Sequence, residues 1–432
     1  MTRMYNLKCL WLLSAVTVLA GCALLPRQNA VPAKLYDEAK IAGMPDVRYQ
    51  TLSQQGIDAM LREFQRRQAV NTFQRKDKAS YLSLSGGGDN GAFGAGLLTG
   101  WSTHGDRPTF ELVTGVSTGA LIAPFAFLGS DYDPVLREVY TEITRRDVFI
   151  ELGILGALFG DAYADTTPLF HLISRHIDET VLKKIAYEYE VNHRWLLVGT
   201  TNLDSGIPVI WNMGKIASIG TPEALQVFRK ILLASSAIPG AFPPVMFDVV
   251  ADGEHYQEMH VDGAATMQVF MYPSAAGAEA LRKGIVSPHR QREVYIIRNA
   301  RLDSDWRQIE RSTLSIMGRG ISQLIQSQGF GDLQRIYLTS LRDKVGFNLA
   351  FIGSDFTLQR QQSFDQAYMQ ALFDYGDRLG KAGYPWMHVP PGYDAPLNVD
   401  ISKQVSRKRQ ALKRLKPVVP EKTAAAGTVA GK

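Results

Sequence analysis

Cysteine is nearly absent from this chain. Its 432 residues contain two, Cys9 and Cys22. Residues 23–432 therefore hold no disulfide, no thiolate nucleophile and no cysteine-based metal site. The N-terminal apolar run Cys9–Ala20 (CLWLLSAVTVLA) is shorter than the roughly 20 residues that a spanning helix needs. There are eight histidines, at 104, 171, 176, 193, 255, 260, 289 and 388, and none stands in an evident triad motif. No internal repeat is present. Basic residues in excess are also missing from the main body. The formal charge is +5, but Ile401–Lys432 alone carries nine Lys or Arg against one Glu. The segment from Cys22 to Asp400 is net acidic. A basic balance confined to a tail is no argument for a nucleic-acid-binding domain.

What is there begins at the N-terminus. Arg3 and Lys8 precede the apolar run, and Leu19-Ala20-Gly21-Cys22 follows it. This pattern reads as a secretory signal with a small-residue cleavage site. It resembles the bacterial lipobox. That resemblance implies that Cys22 is acylated and becomes the new N-terminus. With Ala23 next, it also implies passage to the outer membrane of a Gram-negative cell. A multiply acylated cysteine anchors firmly, in proportion to its buried CH₂ groups. The tail, ending in Pro, Ala, Gly and Lys, is expected to be disordered.

The pattern divides the chain into five parts: 1–21 signal, 22–78 approach segment, 79–302 core, 303–400 mainly helical extension, and 401–432 basic tail. In the approach segment, Ile57, Met60, Leu61 and Phe64 recur at helical spacing. From Ala79, strands and helices alternate. Tyr81–Ser85, Phe110–Val116, Arg194–Thr200, Ile207–Met213, Glu258–Val261 and Val294–Arg298 read as strands. Gly91–Leu98, Thr118–Leu128 and Pro222–Ser235 read as helices. Such alternation predicts an α/β core with a largely parallel sheet covered by helices. Asn348–Ile352 reads as an isolated strand within the extension.

Two motifs carry chemistry. Ser83–Gly96 (SLSGGGDNGAFGAG) contains Gly86-x-Gly88-x-x-Gly91. This spacing suits a dinucleotide pyrophosphate, and equally a set of backbone N–H donors for an oxyanion. Gly115-Val116-Ser117-Thr118-Gly119 matches G-x-S-x-G at a strand-to-helix junction, where Ser117 Oγ would stand above the sheet. A dinucleotide site needs an acid at the end of the next strand, but Glu111 lies at its start. The glycine loop therefore fits better as a donor surface facing Ser117, with Gly86, Gly87 and Gly88 supplying N–H groups. A serine nucleophile needs a base. Asp262, in Met259-His260-Val261-Asp262-Gly263-Ala264, ends an apolar stretch where α/β sheets build sites. Asp252-Gly253, followed by Glu254 and His255, reads as a hydrated loop. A carboxylate of ordinary pKa, near 4, is a weak base at neutral pH, so such a pair suits esters. Phe149–Phe159 (FIELGILGALF) reads either as the lining or lid of an acyl-chain channel, or as a core helix.

Together these pieces resemble the patatin-like phospholipase family. Four elements carry the resemblance, in order. They are the loop Gly86–Gly91, the elbow Gly115–Gly119, the segment Ala234–Pro244 (ASSAIPGAFPP) and Asp262-Gly263-Ala264. They span less than half of the chain. The resemblance implies a three-layer α/β/α core, a Ser–Asp dyad without histidine and acyl-ester hydrolysis. Ser117 would be nucleophile, Asp262 base, and Gly86–Gly88 the oxyanion hole, with no metal or cofactor. The family usually places Arg or Lys before the last loop glycine, where this chain has Asn90. A lipid acyl ester is the expected substrate, such as a phospholipid or lysophospholipid. A catalytically inactive envelope lipoprotein that binds lipid or a partner is the alternative, and a dinucleotide-dependent oxidoreductase ranks last.

Overall fold

The computed structural model describes residues 27–70, 78–153, 160–285, 290–303 and 308–393. The signal, Cys22, residues 154–159 of the apolar segment (Leu155 and Leu158 among them) and the basic tail lie outside the described residues.

The core is one sheet. Its strands are β1 (Lys40–Ile41), β2 (Arg48–Gln50), β3 (Lys78–Leu84), β4 (Leu112–Val116), β7 (Trp195–Asn202), β8 (Ile207–Asn212), β9 (Val245–Ala251), β10 (Glu254–Asp262), β11 (Gln291–Arg301) and β12 (Gly346–Ile352). A separate two-stranded hairpin joins β5 (Ile150–Glu151) to β6 (Ala164–Asp165). The central strands β7-β4-β3-β11-β12 are all parallel. Antiparallel strands flank them, β2 and β8 beside β7 on one side and β9 and β1 beyond β10 on the other.

Alternation along the strands makes three layers. Leu82, Leu84, Val113, Leu196, Val198 and Ile297 face one helical layer. Tyr81, Val294 and Ile296 face the opposite one, as do Val116 and Leu197. The first layer includes the helices Gly91–His104, Thr118–Leu128, Pro222–Ser235 and Gln366–Lys381. The second includes Gln54–Val70 and the long helix Thr313–Asp343. Strands buried on both faces read as nearly continuous apolar runs, which is why the sequence shows them clearly.

The C-terminal part differs from the expectation of an isolated strand. β12 pairs in parallel with β11 inside the central sheet, from Glu293↔Gly346 to Arg301↔Ile352. The helix Gln366–Lys381 packs closely on Gly91–His104, where Gly96 and Gly100 leave room only for the backbone of Phe373 and Asp377. Edge strands gain by pairing, and β11 finds its partner about 50 residues downstream. The described residues up to Pro390 thus form one compact unit.

Candidate active site

β4 and β10 share one edge of β7. β4 runs parallel to β7 and stops with Val116 opposite Gly199. β10 runs the other way and stops with Asp262 opposite Thr200. The two strands meet tip to tip, so Ser117 and Asp262 leave them side by side. Gly263 allows this approach, since a Cβ there would collide with the Gly199 carbonyl. The loop after β3 ends at the same edge, because β3 and β4 are parallel neighbours.

Ser117 sits on a strained turn, with φ 55° and ψ −127°. A non-glycine residue holds such angles at a cost of about 1–3 kcal/mol, and only where the surroundings enforce them. Three contacts do so here. The Ser117 N–H donates to Ser235 Oγ at 2.9 Å. Ser235 Oγ donates to the Gly199 carbonyl at 2.7 Å, tying the elbow to β7. Gly115 and Gly119 pack backbone on backbone, Gly115 against the elbow helix and Gly119 against Leu84 and Ser85. Ser117 also precedes the helix Thr118–Leu128, whose N-terminal dipole favours negative charge.

Asp262 is buried, and the nearby Ser117 side chain lowers its pKa slightly. Its Oδ1 accepts the Ala264 N–H at 2.8 Å. Burial pushes its pKa up to about 7, and the Ala264 N–H and Ser117 only partly offset that rise. The carboxyl therefore has the basicity of a group poised near neutrality, well above the value near 4 expected from its type. Neither ring nitrogen of His260 bonds Ser117. Its Nε2 meets Glu258 at 3.1 Å and its Nδ1 meets Thr200 Oγ1 at 2.9 Å. Asp252 turns the β9–β10 hairpin with φ 50°.

The glycine loop divides its work. The Gly86 N–H donates to the Gln268 carbonyl at 3.1 Å, so it is not free for an oxyanion. This corrects the expectation of three N–H donors. Gly86 serves by its size instead, because a Cβ there would stand 3.2 Å from Ser117 Cβ. Among the described residues, no protein group accepts from the N–H of Gly87 or Gly88. Gly88 holds φ 59°, a left-handed turn that suits glycine.

Several supports are distant in sequence and were not foreseen. Asn299 Nδ2 donates to the Ser85 carbonyl at 2.9 Å, and Asn299 Oδ1 accepts the Gly94 N–H at 3.1 Å. Buried Asp332 accepts the N–H groups of Gln268 and Val269 at 2.7 and 3.3 Å. Asn90 Oδ1 accepts the Tyr368 hydroxyl at 2.8 Å. Arg360 pairs with Asp89 at 2.6 Å, next to Asn90. Phe149 is buried against Phe242 and Phe364. Glu111 lies at the far edge, paired with Arg290. Two cavities, of about 630 and 820 Å³, open at that far edge too, and neither is lined by Ser117 or Asp262.

Residues 82–271 match the family model described as patatin-like phospholipase. These residues form a patatin-like phospholipase domain. At the family level, this match supports a lipid acyl hydrolase. The match covers the glycine loop, the elbow, Ala234–Pro244 and Asp262. No curated protein matches the chain. Among solved structures, the crystal structure of VipD from Legionella pneumophila is similar. It shares 10% identity at a TM-score of 0.34, covering 71% of this chain and 67% of that one.

Proposed function

We propose that the patatin-like domain hydrolyses lipid acyl esters, of phospholipase A or lysophospholipase type, through a dyad of Ser117 and Asp262. One observation carries this reading. A serine held at φ 55° leaves its strand beside a buried carboxylate whose pKa is raised to about 7. Asp262 takes the Ser117 proton as Oγ attacks the ester carbonyl carbon. The oxyanion accepts from the N–H groups of Gly87 and Gly88. As the tetrahedral intermediate collapses, the alkoxide leaves with the proton from Asp262. Water then attacks the acyl-serine and gives a proton to Asp262. As the second tetrahedral intermediate collapses, the fatty acid departs and Asp262 passes the proton it took from water to Ser117 Oγ.

The signal pattern supports a second element of the proposal. The mature chain is acylated at Cys22 and held on a membrane of the cell envelope. Radiolabelled palmitate incorporated by the chain, and lost in Cys22→Ser, is the expected result.

The dyad is tested on purified protein with p-nitrophenyl acyl esters and a fluorophosphonate probe. Hydrolysis and labelling both disappear in Ser117→Ala. Hydrolysis that survives this change would overturn the nucleophile assignment. A wild-type chain that turns over no acyl ester would favour a lipid- or partner-binding role.

A further inference from the structure

The long helix Thr313–Asp343 runs the full height of the sheet and beyond it. Near its end, the Asp343 carbonyl accepts from Arg292, which lies at the start of β11. Further back, the Gln326 carbonyl accepts from Arg298 Nη2 at 3.5 Å, near the end of β11. The helix is therefore antiparallel to β11. Its residues before Gln326 project past the edge where Ser117 lies. At 1.5 Å per residue, this projection is about 20 Å long.

The projecting part is amphipathic. At 100° per residue, Ile316, Met317, Ile321 and Leu324 fall in one half of the helix, with Gly320 among them. Ser315, Arg319, Ser322, Gln323 and Gln326 fill the other half. Among the described residues, the apolar half is largely left open to solvent. Ile316, Met317, Ile321 and Leu324 are 55, 56, 43 and 73% exposed. A contiguous exposed apolar stripe marks an interaction surface, whereas single exposed residues do not. The stripe leads to the site. Ile325 packs in the cluster that contains Val116 and Ala264, the neighbours of Ser117 and Asp262. A second exposed apolar pair, Ile150 and Leu152, lies on the β5–β6 hairpin. The adjoining Tyr163 and Ala164 donate N–H groups to Gly240 and Ala241, beside Ser235 on the same edge. Charge adds a sign. From Arg311 to Gly331 the chain has two arginines and no acid.

We propose that this projecting helix end is a docking surface for an anionic phospholipid bilayer. The inference rests on the lipid-ester reading above and specifies the state of the substrate. The four apolar side chains enter the acyl region, as in interfacial amphipathic helices. Arg311 and Arg319 face the headgroups. A lipid ester then reaches Ser117 along the stripe without crossing water.

The test uses the chain from residue 22 with Cys22→Ser, so that neither the apolar signal nor an acyl anchor contributes. Binding is read by flotation with phosphatidylethanolamine–phosphatidylglycerol vesicles. Rates are read on those vesicles and on soluble p-nitrophenyl butyrate. In Ile321→Ser/Leu324→Ser, flotation and vesicle hydrolysis fall about tenfold or more, while the soluble ester changes by less than about twofold. Met317→Ser gives a smaller loss of the same kind, and vesicles without phosphatidylglycerol bind more weakly. Unchanged flotation, or equal losses on both substrates, would overturn the proposal. So would a wild-type dimer that the double variant converts to monomer, since the stripe would then bind a second copy. If the wild type cleaves neither substrate, the hydrolase reading fails, and flotation still decides the docking.

Discussion

Glu258 and Asp262 are buried carboxylates on the same strand, 1 and 2% exposed, and four residues apart. Burial raises both, yet they end far apart. At Glu258, Arg48 and His260 outweigh burial and hold the pKa down at about 2. At Asp262, burial dominates and the pKa rises to about 7. Glu258 has a two-pronged partner in Arg48, with Nη2 donating at 2.9 Å to Oε1 and Nη1 bonded to Oε2. Asp262 has no cation, only the Ala264 N–H at 2.8 Å. Glu258 holds Arg48 of β2, whose Nη2 also donates to the Ala39 carbonyl at 2.8 Å. Asp262 keeps an affinity for a proton. The same burial makes an anchor where a cation is supplied and a base where none is.

The contrast breaks most sharply at Asp262. If Asp262 is the base proposed above, Asp262→Asn should lower kcat/KM on a soluble ester by about 10³–10⁴. The same change should raise the thermal unfolding midpoint at pH 8. The folded pKa of Asp262 lies above its unfolded value of 3.8. Between about pH 4 and 7, the folded chain holds a proton that the unfolded chain has released. Stability therefore falls as pH rises through that window and stays lower above it. A variant that is both inactive and less stable at pH 8 would contradict this.

Arg48→Met leaves Glu258 buried without its cation, with His260 as its remaining partner. Chemical denaturation should show a loss of about 3–5 kcal/mol. The molecules that remain folded should keep their rate on the soluble ester. Glu258 has the opposite pH sign to Asp262. Its folded pKa is depressed, so its contribution is complete above its unfolded value and is lost as pH falls toward 2.

The smallest effect is expected at His260. Burial lowers its pKa, although Glu258 opposes the shift, and both ring nitrogens already have partners. His260→Gln should cost about 1–3 kcal/mol of stability through lost hydrogen bonds. Its kcat/KM should stay within about tenfold of wild type. A loss as deep as that of Asp262→Asn would make His260 part of a triad.

Much of this was legible in the sequence because it is local. The helices Thr118–Leu128 and Pro222–Ser235 fall where apolar spacing predicts them. The elbow and the Asp-Gly turn announce themselves by neighbouring glycines. What stayed hidden depends on chain closure. Nothing near Asn348 indicates that β12 completes the sheet beside β11. Asn299, Asp332 and Arg360 support the glycine loop from far downstream, and no short motif signals them. The Gly86 N–H looked free because its acceptor, the Gln268 carbonyl, comes from the segment after β10. The raised pKa of Asp262 was invisible for the same reason. It depends on how completely the fold removes water, which residue type does not report.

The most direct test of the central claim is the pH dependence of kcat/KM on a soluble ester, from pH 4.5 to 9. If buried Asp262 is the base, the rate rises with pH through a single ionisation with its midpoint near 7. The same midpoint persists in His260→Gln. A midpoint near 4, or a midpoint that moves or vanishes in His260→Gln, would contradict the account.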